Sequence, residues 1–523
     1  MKTLSESVWV LADMPTPEEV RQRLDTLFYQ VSVEQATQQT RTLLDDFDWH
    51  LTTKQETLFW VGSHSSPQSG GLLLVTPKRE WQLNSLDGPP VFWWDLPESA
   101  LADHLSKRIG VRALLPRVHL DESQTLLACR DDEGKVRARV ELTQQVIRRA
   151  DHEETPHYFR HLIRLQPLRG YAADARTVYA CLSGWLDGLQ PAESTQDVLA
   201  VCGFQPHQEC LPNPLPLEAE ASVETNLRQT AALLFSQVRR YEPGIMADTD
   251  TEFLHQYRVN LRRLRSIFSL LKKVLPSEMQ QKVKAHLADL ARPTNQLRDL
   301  DVFLLQRSTF RDWLPETFHA GLDRLFRNIS KERARQHRLV ASSLLGRKYQ
   351  QQAQWLEDFF SAAPLHETSL SVKPLGPVAD LKLWKAYSRI VAEATHIDAS
   401  TPDEQVHELR IDCKKLRYLL DFFADLYPKK QIQRQVSALK QLQNILGDFN
   451  DFSVQQTFLA QWAHEEAAQS QVAAVHGLTA VLHQKQKEAR AQVVEALQTF
   501  IQAEVYADFK QSYGGKATST PPA

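Results

Sequence analysis

Long apolar runs are missing from this chain of 523 residues, and none approaches the roughly eighteen uninterrupted apolar residues that a membrane helix needs. Near the start, the short apolar run in MKTLSESVWVLADMPTPEE is followed by Asp13 and glutamates, which speaks against a signal peptide and for a cytoplasmic protein. Cysteine is sparse: Cys129, Cys181, Cys202, Cys210 and Cys413 are scattered, odd in number and form no CxxC pair. That spacing argues against a zinc site or a disulfide framework, and Cys413, set in a helical pattern, reads as a small core residue. No metal, cofactor or catalytic group is expected.

What is there is ordinary in bulk and uneven in distribution. Apolar residues make up 42% of the chain and charged residues 24%, as in globular proteins, and the length calls for two to four domains. The net charge of −3 hides an asymmetry, since residues 1–220 hold 21 Lys+Arg against 31 Asp+Glu. Residues 221–523 hold the remaining 40 and 33, so an anionic partner is expected for the second half.

The two halves also differ in pattern. Before residue 205, short apolar runs (TLFWVG, GLLLVT, VFWWDL) alternate with turn signals, and TLLACRDDEGKVRARVELTQ reads as a hairpin about Asp-Asp-Glu-Gly. Helical periodicity at 17–29 and 171–188 makes this half α+β. GFQPHQECLPNPLPLEAEAS contains four prolines and reads as a linker over 206–223. Long helical stretches follow over 224–512, with breaks expected at Pro243-Gly244, Pro293 and other prolines, and 513–523 reads as a disordered tail.

The helical half repeats itself. LHQYRVNLRRLRSIF from Leu254 matches VHELRIDCKKLRYLL from Val406 at an offset of 152 residues. The same offset aligns Leu290 with Leu442, Asp299 with Asp451 and Val302 with Val454, which points to one duplicated unit. The copies are expected at 224–360 and 378–510. At about 100° per residue, His255, Arg258, Arg262 and Arg265 share an arc of roughly 80°, and Tyr257, Leu261, Leu264 and Phe268 share the neighbouring one. His407, Arg410, Lys414 and Arg417 repeat the row, each about 15 Å long. Arg263 and Lys415 point about 120° away, toward a flanking helix.

A row of like charges costs some tenths of a kcal/mol per adjacent pair when solvated. Stability alone would interleave acids, and here Asp412 is the only one between Arg410 and Arg417, with none between His255 and Arg265. A linear polyanion would relieve both rows at once, with arginine forks meeting phosphate oxygens. Asp299 and Asp451 read as acids that orient the basic side chains. The missing aromatics beside the rows argue against nucleic acid, whose bases need stacking partners.

HQYRVNLRRLR, LRDLDVFL, HELRIDCKKLRYL and LKQLQNILGDFND resemble the CHAD family over about 224–510. The resemblance implies two four-helix bundles about a pseudo-twofold axis, and a basic surface that binds inorganic polyphosphate. It adds Lys440 and Arg347 to the candidates, extends the expected cytoplasmic location to polyphosphate granules, and puts Asn450 where the first copy has Arg298. LLDDFDWHL, GVRALLPRV, LLACRDDEGKVRARVEL and LQPLRGY are similar to CYTH, or triphosphate-tunnel, domains, which implies an antiparallel β barrel over 1–205. The Glu-x-Glu-x-Lys strand of active members is reduced here to Glu6 in Leu4-Ser-Glu6-Ser-Val8, so a degenerate, non-catalytic domain is expected. Two other readings stand beside polyphosphate binding. One is a metal-dependent tripolyphosphatase using Glu6 with Glu141 or Glu133, and the other a helical nucleic-acid-binding or scaffold protein.

Overall fold

A computed structural model describes residues 7–514, apart from 12, 64–65, 152–157, 187–194, 210, 213, 399 and 464–467. The chain divides into two compact units, Met1–Cys210 and Leu211–Ala523, and is α+β. No helix among the described residues is long and apolar enough to cross a membrane.

The first unit is built on β1 (Ser7–Leu11), β2 (Gln30–Asp45), β3 (Thr57–Ser63), β4 (Ser66–Val75), β5 (Glu80–Leu86), β6 (Leu115–Arg130), β7 (Val136–Arg149) and β8 (Tyr158–Pro167). They form one antiparallel sheet in the order β1-β8-β7-β6-β2-β3-β4-β5. The sheet is open, with β1 and β5 as its edges, where a closed barrel was expected. The expected hairpin is β6–β7. Gly134 closes its turn at φ 78°, and the Asp131 carboxylate accepts from the Lys135 amide at 2.9 Å.

Helices α1 (Pro17–Leu24), α2 (Ala100–Ile109), α3 (Ala172–Leu186), α4 (Thr195–Val201) and α5 (Pro206–Glu209) cover the sheet's apolar surfaces. Val20 and Leu24 of α1 and Val178 and Leu182 of α3 pack on Trp9, Leu127, Val140 and Ile163. Leu101 and Leu105 of α2 pack on Leu58, Leu72 and Leu74. The apolar run VFWWDL is not a strand: Pro89-Pro90 precedes it, and Asp95 accepts from the Val91 and Phe92 amides at 3.1 and 2.8 Å, curling it into a turn.

The second unit contains α6 (Val223–Met246), α7 (Thr251–Leu270), α8 (Ser277–Ala291), α9 (Asn295–Leu305), α10 (Arg307–Trp313), α11 (His319–Leu345) and α12 (Arg347–Ser361). The second copy follows as α13 (Leu375–Ala394), α14 (Asp403–Phe422), α15 (Lys429–Ala460), α16 (Gln469–Phe500) and α17 (Ala503–Phe509). Helices α13, α14 and α15 each begin 152 residues after α6, α7 and α8. A reciprocal backbone pair joins the copies: Val223 N donates to Lys373 O at 2.9 Å, and Leu375 N to Ala221 O at 3.0 Å, about the bridge Ser222↔Pro374. Every residue in that bridge meets the neighbourhood of its own equivalent, as in an isologous contact, so a pseudo-twofold axis passes through it. Helix α7 packs on α14, its own counterpart. A shared core joins Leu300, Phe303 and Phe326 of the first copy to Leu459, Leu478 and Leu482 of the second.

The prolines do not all act as breaks. Pro293 does interrupt the chain between α8 and α9, whereas the second copy has Ile445 there and α15 runs unbroken. Pro243-Gly244 is no break, because Pro243 lies in the last turn of α6. Gly244 is a packing residue, since a Cβ would come within 2.0 Å of the Phe253 ring. The proline-rich stretch is ordered where described. Pro206–Glu209 is α5, and Leu215 and Leu217 are buried in the second unit, with Leu217 N donating to Asp425 at 3.0 Å. Tyr513, inside the expected tail, is buried and donates to Gln435 at 2.6 Å, and residues 515–523 lie outside the described residues.

Candidate functional site

Helix α7 is fixed at its start by Asp250, whose carboxylate accepts from the Glu252 and Phe253 amides at 2.8 and 3.2 Å. Burial of Leu254, Tyr257, Leu261, Leu264 and Phe268 sets its rotation. His255, Arg258, Arg262 and Arg265 then line a groove of about 970 Å³, walled by α9 and the end of α15. Arg258 is anchored by neutral acceptors, donating to Thr294 and Asn295 at 2.7 Å each, and more distantly to Ala291 O. Arg262 and Arg265 are exposed and have no hydrogen-bond or ion-pair partner among the described residues.

The second row is differently committed. Arg410, Lys414 and Arg417 line a smaller hollow of about 220 Å³ against α15. Arg410 meets Asp451 at 3.5 Å, and Arg417 donates to Asp421 on its own helix at 2.8 Å. Asp451 is 66% exposed, so the first of these pairs is weak. Lys414 has no partner among the described residues, and burial, then Arg410 and Arg262, hold its pKa below the usual lysine value. The two rows therefore meet at Arg262 and Lys414. His407 is exposed and lines neither hollow.

The break at Pro293 accounts for part of the difference. It frees Ala291 O and presents Thr294 and Asn295 to Arg258, while unbroken α15 offers Arg410 none of these, and the buried Arg410 Nε lacks a partner. Lys415 pairs with Asp412 at 2.6 Å, and Asp412 also faces Arg389 of α13, so Lys415 is turned to a flanking helix. Arg263, Arg347 and Lys440 line neither hollow.

Two features of the groove escaped the sequence. Arg298 lines it from α9, its pKa lowered chiefly by burial, and only its mismatch with Asn450 had marked it. Aromatics are present after all: Phe303, Phe458 and Trp462 form part of the wall. They lie 38 or more residues from Arg265 in sequence, so helical spacing on α7 could not reveal them. Asp299 and Asp451 both line the groove, and Arg258 and Arg298 oppose the burial that raises the Asp299 pKa.

In the first unit, the acids of the polar sheet face are paired, whereas the buried Gln145 Oε1 and Arg164 Nε lack hydrogen-bond partners among the described residues. Glu122 is buried, ion-paired to Arg41 at 3.2 Å, and accepts from Gln39 and Gln145, each at 2.7 Å. Glu141 accepts from Gln166 at 2.9 Å and Thr143 at 3.2 Å. Glu133 sits in the β6–β7 turn, paired with Lys135 at 2.6 Å. On β1, Val8 and Val10 register with Arg164 and Leu162, placing apolar side chains on the face that Glu141 shares. Glu6 lies outside the described residues, among which no cluster of His, Cys, Asp or Glu is arranged to hold a metal ion.

Comparison with solved structures shows similarity to the CHAD domain from the plant Ricinus communis, at 24% identity and a TM-score of 0.46, covering 55% of this chain and 95% of that one. PptA from Streptomyces chartreusis is similar at 16% identity and a TM-score of 0.42, covering 53% and 100%. A putative adenylyl cyclase from Hippeastrum, described as having a dominant triphosphatase activity, is similar at 12% identity and a TM-score of 0.25, covering 38% and 96%. No curated protein matches the chain. Residues 229–460, which hold both cationic rows, match the CHAD domain family model, and this part of the chain is a CHAD domain.

Proposed function

We propose that the helical unit binds inorganic polyphosphate, as a representative linear polyanion, without acting on it chemically. Arg258, Arg262 and Arg265 with His255 make the main grip, and Arg410, Lys414 and Arg417 extend it across the pseudo-twofold axis. Arg263, Lys415, His407, Arg347 and Lys440 are peripheral candidates that a long chain would reach last. The observation that carries this reading is a set of cations without counterions: Arg262 and Arg265 are exposed and unpartnered, and Lys414 has no partner among the described residues, with burial, Arg410 and Arg262 lowering its pKa. A side chain in that state gains most from an external anion. The CHAD match favours polyphosphate over other anions. The test is competition between long-chain polyphosphate and single-stranded nucleic acid at matched charge and salt. Preferential binding of polyphosphate supports the reading, and equal or stronger binding of nucleic acid contradicts it.

A further inference from the structure

We infer that the groove on α7 also takes a nucleoside polyphosphate, with its phosphates along the arginines and its base against the aromatic wall. This rests on the proposed anion binding by the α7 row. The groove's lining combines Arg258, Arg262, Arg265 and Arg298 with Val302, Val454, Phe458 and Trp462. Val302 and Val454, equivalent positions in the two copies, are among the chain's exposed large apolar residues. Phe458 lies 4.8 Å from the buried Phe303 and 6.2 Å from Trp462 between ring centroids, so the partly buried Phe458 and Trp462 rings pack together in the wall. An inorganic phosphate chain has nothing to offer an apolar wall. A heterocyclic base has a flat face for such a wall. The volume of about 970 Å³ lies at the upper end of the range that encloses small ligands.

The test is calorimetric titration of the full chain with ATP and with inorganic tripolyphosphate, in one buffer without divalent metal. Tripolyphosphate carries the same three phosphates without the adenosine. ATP should bind tighter by on the order of tenfold, the contribution expected of one stacked base. Trp462→Leu, which keeps apolar volume but removes the flat ring, should cancel that advantage and leave tripolyphosphate binding unchanged. Saturation transfer from the protein to the adenine H2 and H8 protons, displaced by tripolyphosphate, reads the same contact without a variant. Equal or weaker binding of ATP, or a Trp462→Leu loss shared by both ligands, overturns this inference and leaves anion binding intact. If neither ligand binds, this inference falls, and titration with long-chain polyphosphate decides whether the anion binding falls with it.

Discussion

Arg262 and Arg417 occupy corresponding faces of the two basic helices but differ in what they already hold. Arg262 has no partner among the described residues, while Arg417 is bound to Asp421. Arg262→Gln should therefore weaken polyphosphate binding by about tenfold or more, the worth of one charge-assisted contact. Arg417→Gln should cost less, and Asp421→Asn should strengthen binding by releasing the guanidinium; calorimetry on the three variants checks the order. Lys414 sets a pH dependence. Its pKa is lowered by burial and by Arg410 and Arg262, so it loses its proton below the usual lysine range. Binding should weaken as pH rises through that lowered value, and Lys414→Arg should flatten the profile. In the absence of ligand the sign reverses. The unfolded chain binds the extra proton, so stability rises with pH between the lowered value and about 10.4. The cationic stripe could be read from spacing, because helical periodicity fixes which residues share a face. Its pairing could not, since Arg258 finds acceptors 36 and 37 residues away and Arg410 finds Asp451 across a helix pair.

Among elements, helices were legible wherever an apolar stripe ran long, and their starts in both copies follow the sequence repeat. Breaks were less legible because a proline's effect depends on its position in the turn: Pro293 ends α8, while Pro243 sits harmlessly in the last turn of α6. Glycine near a helix also had a second meaning. Gly321, in the first turn of α11, lets that helix lie against the start of α16, where a Cβ would come within 2.0 Å of Ser470 O. A backbone carbonyl cannot rotate away, so Gly321→Ala should destabilise the helical unit by about 1–3 kcal/mol despite alanine's better helix propensity. Chemical denaturation followed by far-ultraviolet circular dichroism measures this. The run VFWWDL shows the converse limit, since apolar content alone does not make a strand when Pro89-Pro90 and an Asp95 turn enclose it.

At the scale of the molecule, duplication was the most legible feature, and the offset of 152 residues recurs in helix starts and in the Ser222↔Pro374 bridge. The two copies have nevertheless diverged in how their cations are paired, so the proposed grip has a primary row and a supporting one where the repeat implied symmetry. The unit boundary was legible only in outline. Proline content marked the region, but Leu215 and Leu217 belong to the helical core. A fragment of residues 211–523 should therefore fold alone and melt higher than one beginning at 223, which loses those two side chains and the Leu217–Asp425 bond. Differential scanning calorimetry of the two fragments decides this.

The central claim is that unpartnered cations on α7 bind a chain of anions. It is tested most directly by the salt dependence of long-chain polyphosphate affinity, for the wild type and for Arg262→Gln/Arg265→Gln. Released counterions should make the wild-type affinity fall steeply and log-linearly with salt. The double variant should bind more weakly at low salt, show a shallower slope, and keep or exceed the wild-type melting temperature, because two mutually repelling charges are gone. Equal affinities and slopes for the two proteins would contradict the claim.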